Sequence, residues 1–521
     1  YGNLAFESET SAASSTLRGR ASSIKVSIAI SLSDPSPPRH IPGSPAKLRL
    51  MTDSPLYYLS CEQLETAYSA KRLSPVEVTE AVLKRIEECN DAVNAFVVLD
   101  PGEAILSAKA SEARWARDEP LGPIDGVPTT LKDTMLAKGW PTLRGSKTTD
   151  PDGDWDIDAP PVARLREAGA VFLGKTTTPE FGWKGVTDSA LSGVTRNPWN
   201  TSRTTGGSSG GAVAAAALGM GVLHTGTDAG GSVRIPASFT GVFGIKPTYG
   251  RVPAWPASPF GTLSHTGPIT RTVRDAAAML TIMAQADLRD WTALPPVDVD
   301  YLDGLEAGIK GLKIAFSLTL GHVDFVHPDV AASVTAAANA FAELGADVVE
   351  MDPDLSDAEA VFRTHWFASA AAAVSAIPME KYYLLDSGLK EIITRGRNVT
   401  ASDYILAASQ RAAIGERMEA FFQEYDLLIT PGQPLPAFEA GAEFPDNFGF
   451  ERWHQWTPYT YPFNLTQQPA ASVPCGFTQD GLPVGLQIIG ARFTDGLVLK
   501  AARAYEADHP FEMPEGPISG G

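Results

Sequence analysis

The chain reads as an α/β protein, and three observations carry that reading. Apolar runs of strand length recur along it, at residues 127–131, 171–173, 221–226, 312–316, 347–350, 427–430, 470–473 and 484–489. Amphipathic stretches with apolar residues at helical spacing alternate with them, among them 330–344, 401–422 and 495–507. Two helix-start signals precede the first run. Ser60 with Gln63, and Ser74 with Glu77, form capping boxes in which each side chain serves the other's backbone N–H. The second has Pro75 at the first helical position and Val78, Val82, Leu83 and Ile86 on one face, so two N-terminal helices are expected.

Composition narrows the function. Of 521 residues, 44% are hydrophobic and 20% charged, which is ordinary for a folded globular chain. Lys plus Arg number 42 against 61 Asp plus Glu, a formal charge of −19 that disfavours nucleic acid or an anionic membrane as the main partner. A small-molecule substrate is expected. Three cysteines, Cys61, Cys89 and Cys475, are too scattered for a disulfide framework, so a reducing, cytoplasmic setting is expected. Eight histidines without a His-Glu-x-x-His pair give no metal site, and no cofactor is expected. No apolar run reaches the length of a spanning helix. Residues 1–50, rich in Ser, Arg and Pro and without an initial Met, are set aside as a disordered arm, tag or upstream extension, with Met51 as the natural start. Residues 51–521 are expected to form one domain, with inserted helices around 356–398.

The most unusual composition lies in Thr204-Thr205-Gly206-Gly207-Ser208-Ser209-Gly210-Gly211 and in Gly226-Thr227-Asp228-Ala229-Gly230-Gly231-Ser232-Val233-Arg234, joined by an Ala-rich segment. Glycine runs let successive N–H groups converge on one point, where a phosphate or a developing oxyanion can be held. Ser208 and Ser232 beside these nests are candidate nucleophiles. A serine needs a base. His224 falls inside an apolar strand and reads as a core residue, and His265 sits in a loop with no marked partner. Lys132 remains, at the carboxyl end of the 127–131 strand, where α/β sheets gather their ligand sites. Two readings stay open for it. Buried, it loses its proton and becomes a base; exposed, it pairs with Asp133 on a solvated turn. Three rival motifs fail on context. Residues 169–176 match a P-loop pattern but contain an apolar strand where the loop belongs, which leaves Lys175 structural. Gly206-x-Ser208-x-Gly210 mimics a nucleophile elbow but follows a polar segment, and Ser44-Pro45-Ala46-Lys47 stands alone in the N-terminal arm.

The two Gly/Ser segments, with Ile235-Pro236-Ala237 and Gly244-Ile245-Lys246-Pro247-Thr248, closely resemble the amidase signature family. The match extends to Leu131-Lys132-Asp133, Gly174-Lys175-Thr176, Gly267-Pro268-Ile269-Thr270-Arg271, Phe463-Asn464-Leu465-Thr466 and Gly481-Leu482-Pro483-Val484-Gly485-Leu486-Gln487. The resemblance implies a large mixed β-sheet covered by helices on both faces, and hydrolysis of a C–N amide-type bond through a serine acyl-enzyme. It implies Ser232 as nucleophile, Ser208 as a bridging serine after a cis peptide, Lys132 as base, and the N–H groups of Ala229, Gly230, Gly231 and Ser232 as oxyanion hole. Asp228 and Arg234 read as a supporting ion pair around that loop, and Ser209 as either a hydrogen-bonding member of the site or a turn residue. The family also includes the glutaminase subunit of a tRNA-dependent amidotransferase, which works with partner subunits and is the alternative. A homodimer is the other expected association. For the substrate, Trp255 and Phe260 in a Pro-rich loop, and Phe448, Phe450, Trp453, Trp456, Tyr459 and Tyr461 further on, are candidate contacts. They favour an apolar or aryl amide, anilide or carbamate if they line the cleft; the other reading is that they pack a surface loop.

Overall fold

Eleven strands in a single mixed sheet organise the described part of the chain, residues 54–296 and 298–520 of the computed structural model. The expectation for residues 1–50 lies outside the described residues. In chain order the strands are β1 (Phe96–Leu99), β2 (Pro128–Lys132), β3 (Val171–Thr176), β4 (Leu223–Asp228), β5 (Phe243–Lys246), β6 (His265–Thr270), β7 (Lys313–Phe316), β8 (Asp347–Glu350), β9 (Leu427–Pro431), β10 (Ala470–Phe477) and β11 (Pro483–Gly490). Across the sheet they run β1-β3-β2-β4-β6-β5-β10-β11-β9-β7-β8. Neighbours β3, β2 and β4 are parallel, as are β9, β7 and β8; the other pairs are antiparallel.

Period-2 alternation assigns the two faces. Ile314 and Phe316, Leu427 and Ile429, Ala471 and Val473, and Leu486 and Ile488 join one apolar cluster with the helices Val273–Met283, Pro328–Glu343 and Asp495–Asp508. Their alternates Ala315, Leu428, Ala470 and Ile489 join another, with the helices Ala358–Ala373, Ser387–Arg397 and Ala401–Glu424. Helices thus cover both faces, and those expected around 356–398 pack on the second. Both capping boxes form as read, at the helices Cys61–Ser69 and Pro75–Val93.

Three strands were not read from the sequence, although β1, Phe-Val-Val-Leu, is an apolar run of strand length. β1 and β5 are four residues each, and β6 reads His-Thr-Gly-Pro-Ile-Thr, with a glycine and a proline in the middle of a central strand. At Gly267 an added Cβ would stand 1.9 Å from the Ile245 carbonyl oxygen, so β6 lies too close to β5 for any side chain there. The Ala-rich segment forms the helix Gly210–Ala217, all eight residues buried. A Cβ on Gly211 would meet the Ala95 carbonyl oxygen at 2.4 Å. Small residues are therefore the condition for seating this helix, and Ser208 and Ser209 before it, against the sheet.

Candidate active site

Lys132 ends β2 and Thr227 and Asp228 end β4, and because these strands are parallel neighbours their carboxyl ends lie side by side. The Lys132 backbone N–H donates to Thr225 Oγ1 at 2.9 Å, which fixes the strand end. Its side chain is fully buried. Lys132 Nζ lies 2.8 Å from Ser208 Oγ, 2.9 Å from Ser209 Oγ and 2.9 Å from Thr227 Oγ1. Burial pulls this amine down to about 7, with Asp228 acting weakly in the opposite sense. An amine with that pKa is substantially neutral at physiological pH and can take a proton from a hydroxyl.

Of the two readings of Lys132, the solvated ion pair is the one the structure excludes. Asp133 turns away to Lys175, whose Nζ is 3.5 Å from its carboxylate, and also accepts the backbone N–H groups of Leu143 and Gly145. Lys175 donates to the Pro141 carbonyl at 2.9 Å as well, in keeping with the structural role read for it. The histidines offer no competing base. Thr130 Oγ1 contacts His224 Nδ1 at 2.8 Å, and burial, then Arg271, pull that imidazole down to about 3. His265 differs from expectation: it begins β6 rather than sitting in a loop, is buried, and has Nδ1 2.7 Å from the Leu263 carbonyl, because strand pairing with β4 carries it inside.

The Gly207–Ser208 peptide is cis. A Cβ on Gly207 would meet the Val186 carbonyl carbon and oxygen at 2.5 Å, so only glycine fits there. Ser209 caps the helix Gly210–Ala217 without a side-chain capping bond, since its hydroxyl is spent on Lys132. Its N–H donates to the Ser232 carbonyl at 3.2 Å, tying the two Gly/Ser segments together. Ser208 and Ser232 both open onto one cleft of about 260 Å³, which Thr227 and Ala229 also line.

The loop from Asp228 to Arg234 is held from beneath. Arg234 Nε and Nη2 donate to the two Asp228 carboxylate oxygens at 3.0 and 2.9 Å, both side chains being wholly buried. Burial alone would raise the Asp228 carboxyl; Arg234 reverses this and holds it well below the usual carboxylate range. Asp228 also accepts the N–H groups of Gly231 at 2.9 Å and Val233 at 3.2 Å. Of the expected oxyanion donors, the Gly231 N–H thus points to the buried Asp228 carboxylate. Ala229 and Ser232 face the cleft, and Gly230 sits between them and the rings of Phe362 and Trp453, each 2.9 Å from where its Cβ would be.

The aromatic candidates separate into two groups. Trp255 and Phe260 line the cleft. Trp453, Trp456, Tyr459 and Tyr461 do not; all four are buried in the aromatic core behind it, neither on a surface loop nor at the cleft. Trp456 stacks on Phe239 with centroids 5.8 Å apart, and Tyr461 on Phe362 at 4.7 Å. Their polar ends are satisfied inside, Trp456 Nε1 on the Glu443 carbonyl and Tyr459 O–H on the Leu318 carbonyl. Phe448 and Phe450 stack on each other away from the cleft. Sequence reasoning missed Met135, Arg144, Phe181, Gly182 and Trp366 in the lining, and Thr227 beside Lys132. Thr227 had a signal: Thr225 and Thr227 alternate on β4 and so face the same side. Among the described residues no group of three or more His, Cys, Asp or Glu is placed to hold a metal ion, and no helix is long and apolar enough to cross a membrane.

Comparison with known proteins gives the same class. The amidase family model matches residues 77–499. An acylamidase from Rhodococcus erythropolis is 38% identical over 475 residues, covering 88% of this chain and 98% of the relative. A component of the glutamyl-tRNA(Gln) amidotransferase of Myxococcus xanthus is 36% identical, covering 88% and 99%. The crystal structure of a bacterial aryl acylamidase of the amidase signature family superimposes with a TM-score of 0.82 at 31% identity, covering 88% of this chain and 97% of that one. The chain belongs to the amidase signature family and is an amide hydrolase of that family.

Proposed function

We propose that this protein hydrolyses apolar or aryl amides as a free-standing enzyme, through an acyl intermediate on Ser232. The observation that carries the reading is the buried Lys132 amine, pulled down to about 7 by burial, 2.8 Å from Ser208 Oγ, which shares a cleft with Ser232. Lys132 takes the Ser208 proton as Ser208 takes that of Ser232, and Ser232 Oγ attacks the amide carbonyl carbon. Negative charge gathers on the carbonyl oxygen, where the N–H groups of Ala229, Gly230 and Ser232 receive it; one such donor is typically worth about 3 kcal/mol of barrier. Ser208 returns the proton to the departing nitrogen, the C–N bond breaks, and water then attacks the acyl-enzyme by the same relay. Trp255, Phe260, Phe181 and Met135 on the cleft wall support an apolar substrate, an anilide or aryl carbamate included.

The likeness to an amidotransferase component supports a second reading, a glutaminase that acts with partner subunits. Purified chain, assayed alone against acetanilides, aryl carbamates, aliphatic amides and glutamine, separates the two. Partner-free anilide hydrolysis is expected, with Ser232→Ala lowering it by a factor on the order of 10⁴ or more while the circular dichroism spectrum is unchanged. Glutamine turnover that appears only with added partner proteins would overturn the first reading.

A further inference from the structure

We propose that Arg144 is a specificity residue that binds a carboxylate on the amine half of the substrate. Among the described residues that line the cleft, Arg144 is the single charged side chain. In a protein with 61 acidic and 42 basic residues, a substrate cleft that presents a guanidinium and no carboxylate selects for an anion.

The backbone sets its position. Asp133, directly after Lys132, accepts the N–H groups of Leu143 at 3.2 Å and Gly145 at 3.3 Å, folding the 143–145 turn back over the end of β2. Arg144 at the middle of this turn takes a left-handed φ of 55°, unusual for a side chain of its size. Its carbonyl accepts the Phe181 N–H at 2.7 Å. The next residue, Gly182, is so near the site that an added Cβ would stand 3.2 Å from Ser208 Oγ. Arg144 is therefore one hydrogen bond and one residue away from the backbone that touches Ser208.

Its charge is not consumed by the protein. Among the described residues the guanidinium has no hydrogen bond or ion pair, and the carboxylate that acts on it electrostatically, Asp133, is already paired with Lys175. One anion thus faces two cations, and the guanidinium fork is free for a bidentate acceptor. The assignment to the amine half rests on the proposed relay, in which Ser208 protonates the departing nitrogen; the leaving group then lies on the side of Ser208, Gly182 and Arg144. The substrate class that follows is an N-acylated amino acid or aminobenzoate.

The test compares ortho, meta and para acetamidobenzoates with the matching acetamidoacetophenones, neutral analogues of similar shape whose more electron-withdrawing acetyl group makes the aniline the better leaving group, so that ring electronics alone favour the ketone. At least one carboxylate isomer is expected to exceed its ketone in kcat/KM by about 10- to 100-fold, mostly through KM. Arg144→Met should bring that ratio near one whatever it does to the ketone rate, and Arg144→Lys should restore part of it. Ketone hydrolysis with no carboxylate preference, or a ratio that survives Arg144→Met, would overturn the inference. Preference for a carboxylate on the acyl half, as in succinanilate or glutamine, would overturn the amine-half assignment. Calorimetry of the unmodified enzyme with aminobenzoates and aminoacetophenones needs neither turnover nor a folded variant. The carboxylates are expected to bind at least about tenfold more tightly, and equal binding would contradict the inference. If neither anilide series is hydrolysed, the proposed function fails, and calorimetry still decides the role of Arg144.

Discussion

A lysine at the end of a strand is ordinarily a hydrated cation, and what removes Lys132 from that state is the company its ammonium would keep. Burial strips Nζ of water, the three hydroxyls around it carry no charge to balance an ammonium, and the acid that acts on it, Asp228, is itself paired with Arg234. In the proposed relay the unprotonated form is the active one, so below about pH 7 the fraction of working enzyme is expected to fall tenfold per pH unit. The expected profile of kcat/KM rises with pH, bends near 7 and is level above it. A rate that fell as pH rose through 7 would contradict a neutral-amine base, and Lys132→Met should abolish the bend together with most of the rate. The sequence offered Lys132, Ser208 and Ser232 through the family resemblance, with Lys132 as base, but its residues alone left the environment of Lys132 open between burial and a solvated pair with Asp133. Adjacency in sequence offered Asp133 as a partner, whereas successive residues at a strand end point to opposite sides. The partner of Asp133 is Lys175, brought beside it by parallel pairing of β2 and β3.

Among the elements, the turn from β4 into the helix Arg234–Thr240 has the most demanding job in the proposed mechanism, which needs its N–H groups to face the cleft while its base is buried. The Asp228–Arg234 pair does this, and Asn464 and Gln487 complete it: Arg234 donates to the side-chain oxygens of both, at 2.7 Å each. Asp228→Asn would leave a buried guanidinium without its counter-charge. A loss of about 3–5 kcal/mol in urea-unfolding free energy is expected, and an unchanged midpoint would show that the brace is dispensable. The pair was read beside the family resemblance as a supporting ion pair around the glycine loop, and the structure places the two side chains in contact. The aromatic run before Phe463 was misleading for a physical reason. Trp453, Trp456, Tyr459 and Tyr461 belong to an irregular segment whose polar groups are satisfied by distant backbone such as Glu443 and Leu318, and no periodicity shows which way such a segment faces. β6 was hidden likewise: Gly267 and Pro268 are strand-breaking in isolation, yet close packing against β5 requires the glycine.

Across the whole molecule, the site is made by a sheet that gathers remote segments. β2 supplies Lys132, the turn behind it Arg144, the helix Gly210–Ala217 the serines at its start, the end of β4 and the turn into the helix Arg234–Thr240 the brace and Ser232, and the inserted helix Ala358–Ala373 a wall through Trp366. The α/β class and eight of the eleven strands followed from apolar runs, most of which are buried on both faces of the sheet. Their order across the sheet, and with it the convergence of Arg144 and Trp366 on Ser208, depends on pairings between residues far apart in sequence and had no local signature. What the convergence is for can be measured directly. Enzyme mixed with an activated aryl acetate, quenched in acid within the first turnover and digested for peptide mass mapping, is expected to carry the acetyl group on Ser232, and to lose it in Ser232→Ala. Acetyl on Ser208 or on Lys132, or its retention in Ser232→Ala, would contradict the account.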